Sequence, residues 1–281
     1  MVRLDAHQHF WHFDPIRDSW ITEPDMSNIR RNFMPDDLLP ILQKNNFDGC
    51  IAVQADQSEA ETKFLLELAE KNNFIKGVVG WIDLKADNLE ERLDYFSQFP
   101  KLKGFRHILQ SEKPEFMLER NFIEGVNFIL KKGYTYDILV YPRHLKAIKS
   151  KFLRFFDYPT FVIDHIAKPY IKQGLFKDWA KNMKVIAKRE HVYCKVSGMV
   201  TEADWRNWKE EDFNHYLDVI FESFGEDRII YGSDWPVCLV AATYEQQLSI
   251  IQNYVSRNKI DAGKIFGENA KDFYRIKKTD F

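Results

Sequence analysis

Apolar, β-branched and aromatic residues gather in short runs along this chain, and longer stretches with a different rhythm separate them. The runs are VRLDAH (2–7), GCIAVQA (49–55), IKGVVGWID (75–83), LKGFRHI (102–108), YDILVY (136–141), TFVIDH (160–165), VYCKVSG (192–198) and RIIYGSD (228–234). They number eight, and each has the length and residue types of a strand. The intervening stretches, such as 61–72, 121–133, 179–190 and 213–225, repeat apolar residues at three and four, the period of an amphipathic helix. Strands alternating with helices pair in parallel through right-handed crossovers. Eight such units in 281 residues predict an α/β fold, a closed (β/α)8 or TIM barrel. A doubly wound open sheet is the alternative, but it calls for a glycine-rich phosphate loop after a strand, and neither GxGxxG nor GxxxxGK[ST] occurs. No linker rich in Pro, Gly or Ser divides the chain, so one domain is expected over 1–281, with KIFGENAKDFYRI (264–276) as a last helix closing the barrel.

Charge narrows the partners. Forty basic and 42 acidic residues are spread along the chain and leave a net charge of −2. That balance gives no electrostatic footprint for nucleic acid or an anionic membrane. Cys50, Cys194 and Cys238 are far apart, odd in number and form no CxxC, so they read as small buried hydrophobes in a reducing compartment. No uninterrupted apolar segment reaches membrane-spanning length, and the expectation is a soluble cytoplasmic protein. A homo-oligomer is compatible with the sequence.

A barrel carries its chemistry at the C-terminal ends of its strands. Strand 1 ends in Asp5, His7 and His9, which strict alternation would put on one face. The other ends bring Gln54, Trp81 with Asp83, Arg106 with His107, Tyr141, Asp164 with His165, Lys195 with Ser197, and Asp234 within GSDWPV. A histidine pair at i, i+2 presents two imidazoles to one ion or one water, and a carboxylate from the far side of the barrel, Asp234 opposite the histidines, completes a site that activates water. Arg106 and His107 are neighbours on one strand, so only one points fully inward. Lys195 lies in an apolar run and needs an anionic partner, either substrate or Asp137. Trp20, Trp81, Trp205, Trp208 and Trp235 are more than the core needs and are candidate ligand contacts, and 13–37 is the candidate lid or rim.

The stretches LDAHQHFW, KGFRHILQ, DHIAKP, KVSGMVTEADW and IIYGSDWPVCLVA resemble the amidohydrolase superfamily. The closer resemblance is to its lactonase branch of amidohydrolase 2 type, which includes L-fuconolactonase, L-rhamnonolactonase and 2-pyrone-4,6-dicarboxylate lactonase. These stretches are spread over nearly the whole chain. The resemblance implies a barrel hydrolase that attacks a cyclic ester of an aldonic acid with activated water. Binuclear members of the superfamily carry a bridging lysine or glutamate on strand 4 and histidines on strands 5 and 6. Here strand 4 ends in Arg106-His107 and strand 5 has no histidine, so at most one divalent ion is expected, zinc foremost. Its ligands would be His7, His9 and Asp234 with His165. Members of the branch also work without metal, and the residues leave that open.

The expected reaction is hydrolysis of a sugar lactone to the open-chain acid. Asp234 serves as general base and later returns its proton to the leaving alkoxide, while His7, His9 and His165 polarise the carbonyl. Arg106, His107, Gln54, Trp81, Lys195 and Trp235 are the expected substrate contacts. A carboxylate of pKa about 4 is a poor base unless burial raises it or a metal acidifies the water. Alternatives are a pyrone dicarboxylate lactonase, a metal-dependent decarboxylase of an enol or aromatic acid, and a catalytically dead barrel that senses sugar acids.

Overall fold

The computed structural model describes residues 2–157, 159–277 and 280–281, so four residues of the expected 1–281 domain lie outside the description. The eight expected strands form one parallel sheet in sequential order: β1 (Leu4–Gln8), β2 (Gly49–Val53), β3 (Ile75–Gly80), β4 (Leu102–His107), β5 (Thr135–Ile138), β6 (Phe161–Ile163), β7 (Val192–Val196) and β8 (Ile229–Tyr231). The helices that follow successive strands are α1 (Pro35–Lys44), α2 (Glu59–Lys71), α3 (Leu89–Ser97), α4 (Arg120–Lys131), α5 (Leu145–Ser150), α6 (Lys177–Ile186), α7 (Glu211–Phe224) and α8 (Tyr244–Arg257). A short helix, α9 (Asn269–Phe273), follows them. The fold is the (β/α)8 barrel that the periodicity predicts. Cys50, Cys194 and Cys238 are buried free thiols, as expected. No helix among the described residues is long and apolar enough to cross a membrane.

The ring closes between its first and last strands. Asp234 N donates to His7 O at 2.8 Å and His9 N donates to Trp235 O at 2.7 Å, with a parallel bridge between Gln8 and Trp235. Closure demands close approach. A Cβ on Gly232 would lie 2.4 Å from His7 Cβ and 3.0 Å from His7 N, so no larger residue fits there.

Two apolar layers hold the ring. The larger packs the outer strand faces against the helices, and Cys50, Ala52, Phe105 and Tyr231 belong to it. The smaller fills the barrel interior with Leu4, Ala6, Ile51, Val53, Val79, Val162 and Ile230. Ala270, Phe273, Tyr274 and Ile276 join this inner layer, so the C-terminal helix closes the barrel end as the sequence suggests.

One expectation about β1 is corrected. Asp5 does not share a face with His7 and His9. Three residues of β1, from Asp5 to Gln8, advance against only two of β2, from Cys50 to Ala52. That extra residue is a β-bulge, which resets the in–out alternation. Leu4 and Ala6 face the interior, while Asp5 turns outward and accepts from Tyr244 Oη of α8 at 3.1 Å and from Ser233 N at 2.8 Å.

Glu61, in the first turn of α2, shows how buried acids respond to pH in this fold. It is 5% exposed and accepts from Ala55 N at 3.2 Å. Burial pushes its pKa up to about 7, against the pull of that hydrogen bond and of Arg17. A raised carboxyl contributes stability that is complete below its unfolded value and lost as pH rises through about 7, on the order of 3 kcal/mol in all. Glu61→Gln keeps an acceptor for Ala55 N and does not titrate. Thermal melts at about pH 5 and about pH 8 should therefore show the variant gaining on the wild type at the higher pH. An unchanged difference would mean that Glu61 does not titrate in the folded state.

Candidate active site

The barrel mouth gathers three imidazoles around one carboxylate oxygen. His9 Nε2 lies 3.3 Å from Asp234 Oδ1, His165 Nε2 lies 3.8 Å from it and His7 Nε2 lies 3.9 Å from it. All four side chains are buried. The histidine pair is brought in by the bulged end of β1, Asp234 by the turn after β8 and His165 by the turn after β6. Both turns use left-handed backbone, with φ of 57° at Asp234 and four consecutive positive values from His165 to Lys168. Such conformations are costly for residues with side chains and persist where the surroundings fix them.

Second contacts orient the rings. His9 Nδ1 lies 2.7 Å from Val53 O, a group that can only accept, so Nδ1 carries the proton. His165 Nδ1 is held by Ser197 Oγ at 2.9 Å. Burial lowers the pKa of His7 and of His165 well below the ordinary imidazole value, against the pull of Asp164 on His7 and of Asp234 on His165. Both are neutral at physiological pH. Burial alone would raise the Asp234 carboxyl, but His165, His9 and Lys168 oppose it and hold it below its usual value. Asp234 is therefore ionised.

Below this cluster runs a column of buried charge. Tyr274 Oη donates to Asp137 Oδ2 at 2.8 Å, and Lys195 Nζ donates to the same oxygen at 2.6 Å. Lys195 also pairs with Asp164 Oδ1 at 3.2 Å, and Asp164 Oδ2 accepts from Arg106 at 3.1 Å. The column ends on His7. Its Nδ1 meets Asp164 Oδ1 at 3.4 Å and Lys195 Nζ at 3.3 Å, and its Nε2 meets Arg106 at 3.2 Å. Lysine and arginine only donate, so Asp164 is the one partner able to accept an Nδ1 proton, and the Nε2 lone pair then faces the Arg106 guanidinium.

Above the cluster opens a cavity of about 340 Å3. His9, His165, Asp234, Arg106 and Lys168 supply its charged and imidazole groups, and Gln57, Gln110 and Ser111 supply neutral polar ones. Trp11, Trp20, Ile108, Leu139 and Val237 supply its apolar walls. Trp11 and Trp20 meet edge to face, with centroids 6.0 Å apart. Trp20 belongs to the segment expected to form a lid or rim.

Several expected substrate contacts do not line the cavity. Lys195 is fully buried in the column below it. His107 points away from Arg106, as alternation requires, and stacks on Phe116 with centroids 4.9 Å apart. Trp81 follows it outward, its Nε1 3.4 Å from His107 Nδ1. Gln54 spends its amide nitrogen on Arg106 O at 3.0 Å, which holds β2 to β4. Trp235 is 1% exposed and packs edge to face on Phe33 at 5.1 Å. Trp205 and Trp208 give their Nε1 protons to Thr201 O and Ala241 O. Sequence reasoning missed Trp11, although its offset of two from His9 was a signal. It also missed Asp164 as the hub of the column.

The residues fit a single divalent ion. Donors bound to zinc at roughly 2.0–2.2 Å in a tetrahedral site lie about 3.3–3.6 Å apart, close to the 3.3, 3.8 and 3.9 Å found around Asp234 Oδ1. The lowered pKa of His7 and of His165 and the ionised Asp234 carboxylate suit such an ion. Two overlapping donor sets meet the distance test: His7, His9 and Asp234, and His7, Asp164 and His165.

The barrel thus sets a His-X-His strand end beside an aspartate that follows the last strand. The chain matches the family model described as Amidohydrolase over residues 4–276 and belongs to that enzyme family. It is 38% identical over 264 residues to an L-fucono-1,5-lactonase of Burkholderia multivorans, covering 90% of this chain and 88% of the relative. It is 33% identical to an L-fucono-1,5-lactonase of Burkholderia ambifaria, covering 98% and 96%. A crystal structure of a Burkholderia multivorans amidohydrolase with bound zinc is similar at 36% identity, with a TM-score of 0.93 over 99% of this chain and all of that one.

The column supports a specific expectation. Lys195→Met would leave Asp137 and Asp164 buried without the cation between them. Removing one partner of a buried pair costs about 3–5 kcal/mol, and denaturant titration should show a loss of that order. A variant as stable as the wild type would mean that this charge is not what holds the column.

Proposed function

We propose that this protein hydrolyses the lactone of a six-carbon aldonic acid, with Asp234 as the general base. The observation that carries the reading is the convergence of His7, His9 and His165 on Asp234 Oδ1 at the floor of the cavity. The L-fucono-1,5-lactonase relatives support the substrate class. A divalent ion held by His7, His9, His165 and Asp234 would supply Lewis acidity and a more acidic water when bound. Asp234, held below its ordinary pKa, is a weak base for free water, which favours the metal-assisted form of the reaction.

The chain's own groups divide the remaining work. Asp234 takes the proton of the attacking water and returns it to the ring oxygen as that oxygen leaves. Arg106 and Lys168 face the cavity as donors for the developing oxyanion and the new carboxylate. Trp11 and Trp20 receive the ring face, and Gln57, Gln110 and Ser111 receive hydroxyls.

Asp234→Asn should retain the fold and lose roughly 10²–10⁴ in turnover, measured on L-fucono-1,5-lactone after the circular dichroism spectrum is shown to be unchanged. Wild-type turnover in this variant would remove Asp234 from the role of base.

Charge pairing favours a neutral substrate. Both cavity cations already have carboxylate partners: Asp164 for Arg106 at 3.1 Å and Glu202 for Lys168 at 3.2 Å. Little positive charge is left over to hold the extra carboxylates of a pyrone dicarboxylate. In a pH-stat comparison of kcat/KM, fucono-, galactono- and rhamnonolactones should exceed the pyrone dicarboxylate, and a chelator should lower the rate. Preference for the pyrone would overturn the substrate, and decarboxylation with no lactone turnover would overturn the reaction class.

A further inference from the structure

At the opposite end of the barrel, where β3 and β4 begin, lies a second cavity of about 410 Å3. Lys76, Lys101, Lys103 and Lys277 line it together with Asp280 and Phe281. Among the described residues none of these four lysines is in an ion pair. Lys76 is only 6% exposed, and its ammonium reaches a main-chain oxygen, Asp280 O at 2.6 Å. Lys101 likewise reaches Ala69 O at 2.5 Å, at the C-terminal end of α2. Lys103 and Lys277 present ammonium groups with no hydrogen-bond acceptor among the described residues. The Asp280 carboxylate turns back to accept from Lys277 N at 2.9 Å.

The lysines are built in. A Cβ at Gly77, within β3, would sit 2.7 Å from Lys103 Cγ, so β3 gives up a side chain where the Lys103 stem crosses it. Burial lowers the pKa of Lys76, Lys101 and Lys103, and the Lys76 charge lowers Lys101 further. Among the described residues the cleft is lined by four lysines and one carboxylate, that of Asp280, which acts on Lys76 and Lys103; the excess is positive, and such clefts concentrate anions.

We propose that this cavity is a binding site for a small phosphate-bearing anion, remote from the active site. Several point charges around one opening suit a group that carries more than one negative charge, and lysine serves phosphate in this way. The cavity lies within the size range of small-molecule pockets, and Pro100 and Phe281 give it an apolar wall for an organic portion.

Calorimetric titration of the full chain at low ionic strength tests this, with inorganic phosphate, pyrophosphate and glucose 6-phosphate as probes. Saturable binding of at least one probe is expected, and the double variant Lys103→Gln, Lys277→Gln should weaken it tenfold or more with lactone turnover unchanged. A tighter ester identifies an organic phosphate, and equal affinities identify the free anion. Lysine acetylation of the wild type provides a check that needs no variant, since the bound probe should protect Lys103. No binding of any probe, binding unaffected by the double variant, or no protection would overturn the proposal.

Discussion

The closure of the barrel between β1 and β8 decides what the site can be. Two backbone hydrogen bonds, from Asp234 N to His7 O and from His9 N to Trp235 O, are at once the last links of the ring and the device that sets a carboxylate beside two imidazoles. Asp234 does not reach the histidines from the far side of the barrel, as the sequence suggests, because closure makes the last strand a neighbour of the first. It sits at a seam where residues more than 220 positions apart are main-chain neighbours. Gly232 permits the approach, and the outward turn of Asp5 reinforces it, because Asp5 holds Ser233 N at 2.8 Å from the strand below. Loosening this seam would shift the ligand set together with the fold.

The charge column makes the second dependence. Asp137, Lys195, Asp164 and Arg106 are each nearly or fully buried, and no one of them is tolerable there alone. Together they alternate in sign from Tyr274, in the apolar plug, up to His7 in the mouth. The column costs desolvation and returns orientation, because His7 is held from both ring nitrogens. Arg106 also stands 3.2 Å from the Nε2 lone pair that an ion would use. A cation, the Arg106 guanidinium, is thus present at His7.

Much of this was legible in the sequence, and the residues show why. The eight strands were visible because a parallel barrel buries both faces of each strand and writes them as continuous apolar runs. His7, His9, His165 and Asp234 were visible because strand ends are where a barrel collects polar groups. The failures share one cause. Strict alternation put Asp5 with the histidines, and a single inserted residue in β1 undid it. The resemblance and the strand-end rule also swept in Lys195, Gln54 and Trp235, because a strand end does not say whether a side chain points up into the mouth or down into the column. Depth along the barrel axis is set by register between strands. Register is a pairwise property that no single run of residues records.

The backbone of the mouth carries a further signature. Asp234 and the run His165, Ile166, Ala167 and Lys168 all take left-handed conformations although none is glycine. Each costs of order 1–3 kcal/mol and needs surrounding structure to hold it. The support is visible: the Ile166 carbonyl accepts from Trp179 Nε1 at 2.7 Å, Lys168 N donates to His165 O at 2.7 Å, and Asp234 N is committed to the seam. A right-handed turn after β6 would continue as an ordinary helix. The left-handed run places His165 and Lys168 at the same cavity. Asn46, Lys259 and Arg275 also take positive φ, but the turns after β6 and β8 hold the other five such non-glycine residues among those described, and these turns supply the ligand, the base and the cation that the proposed reaction requires.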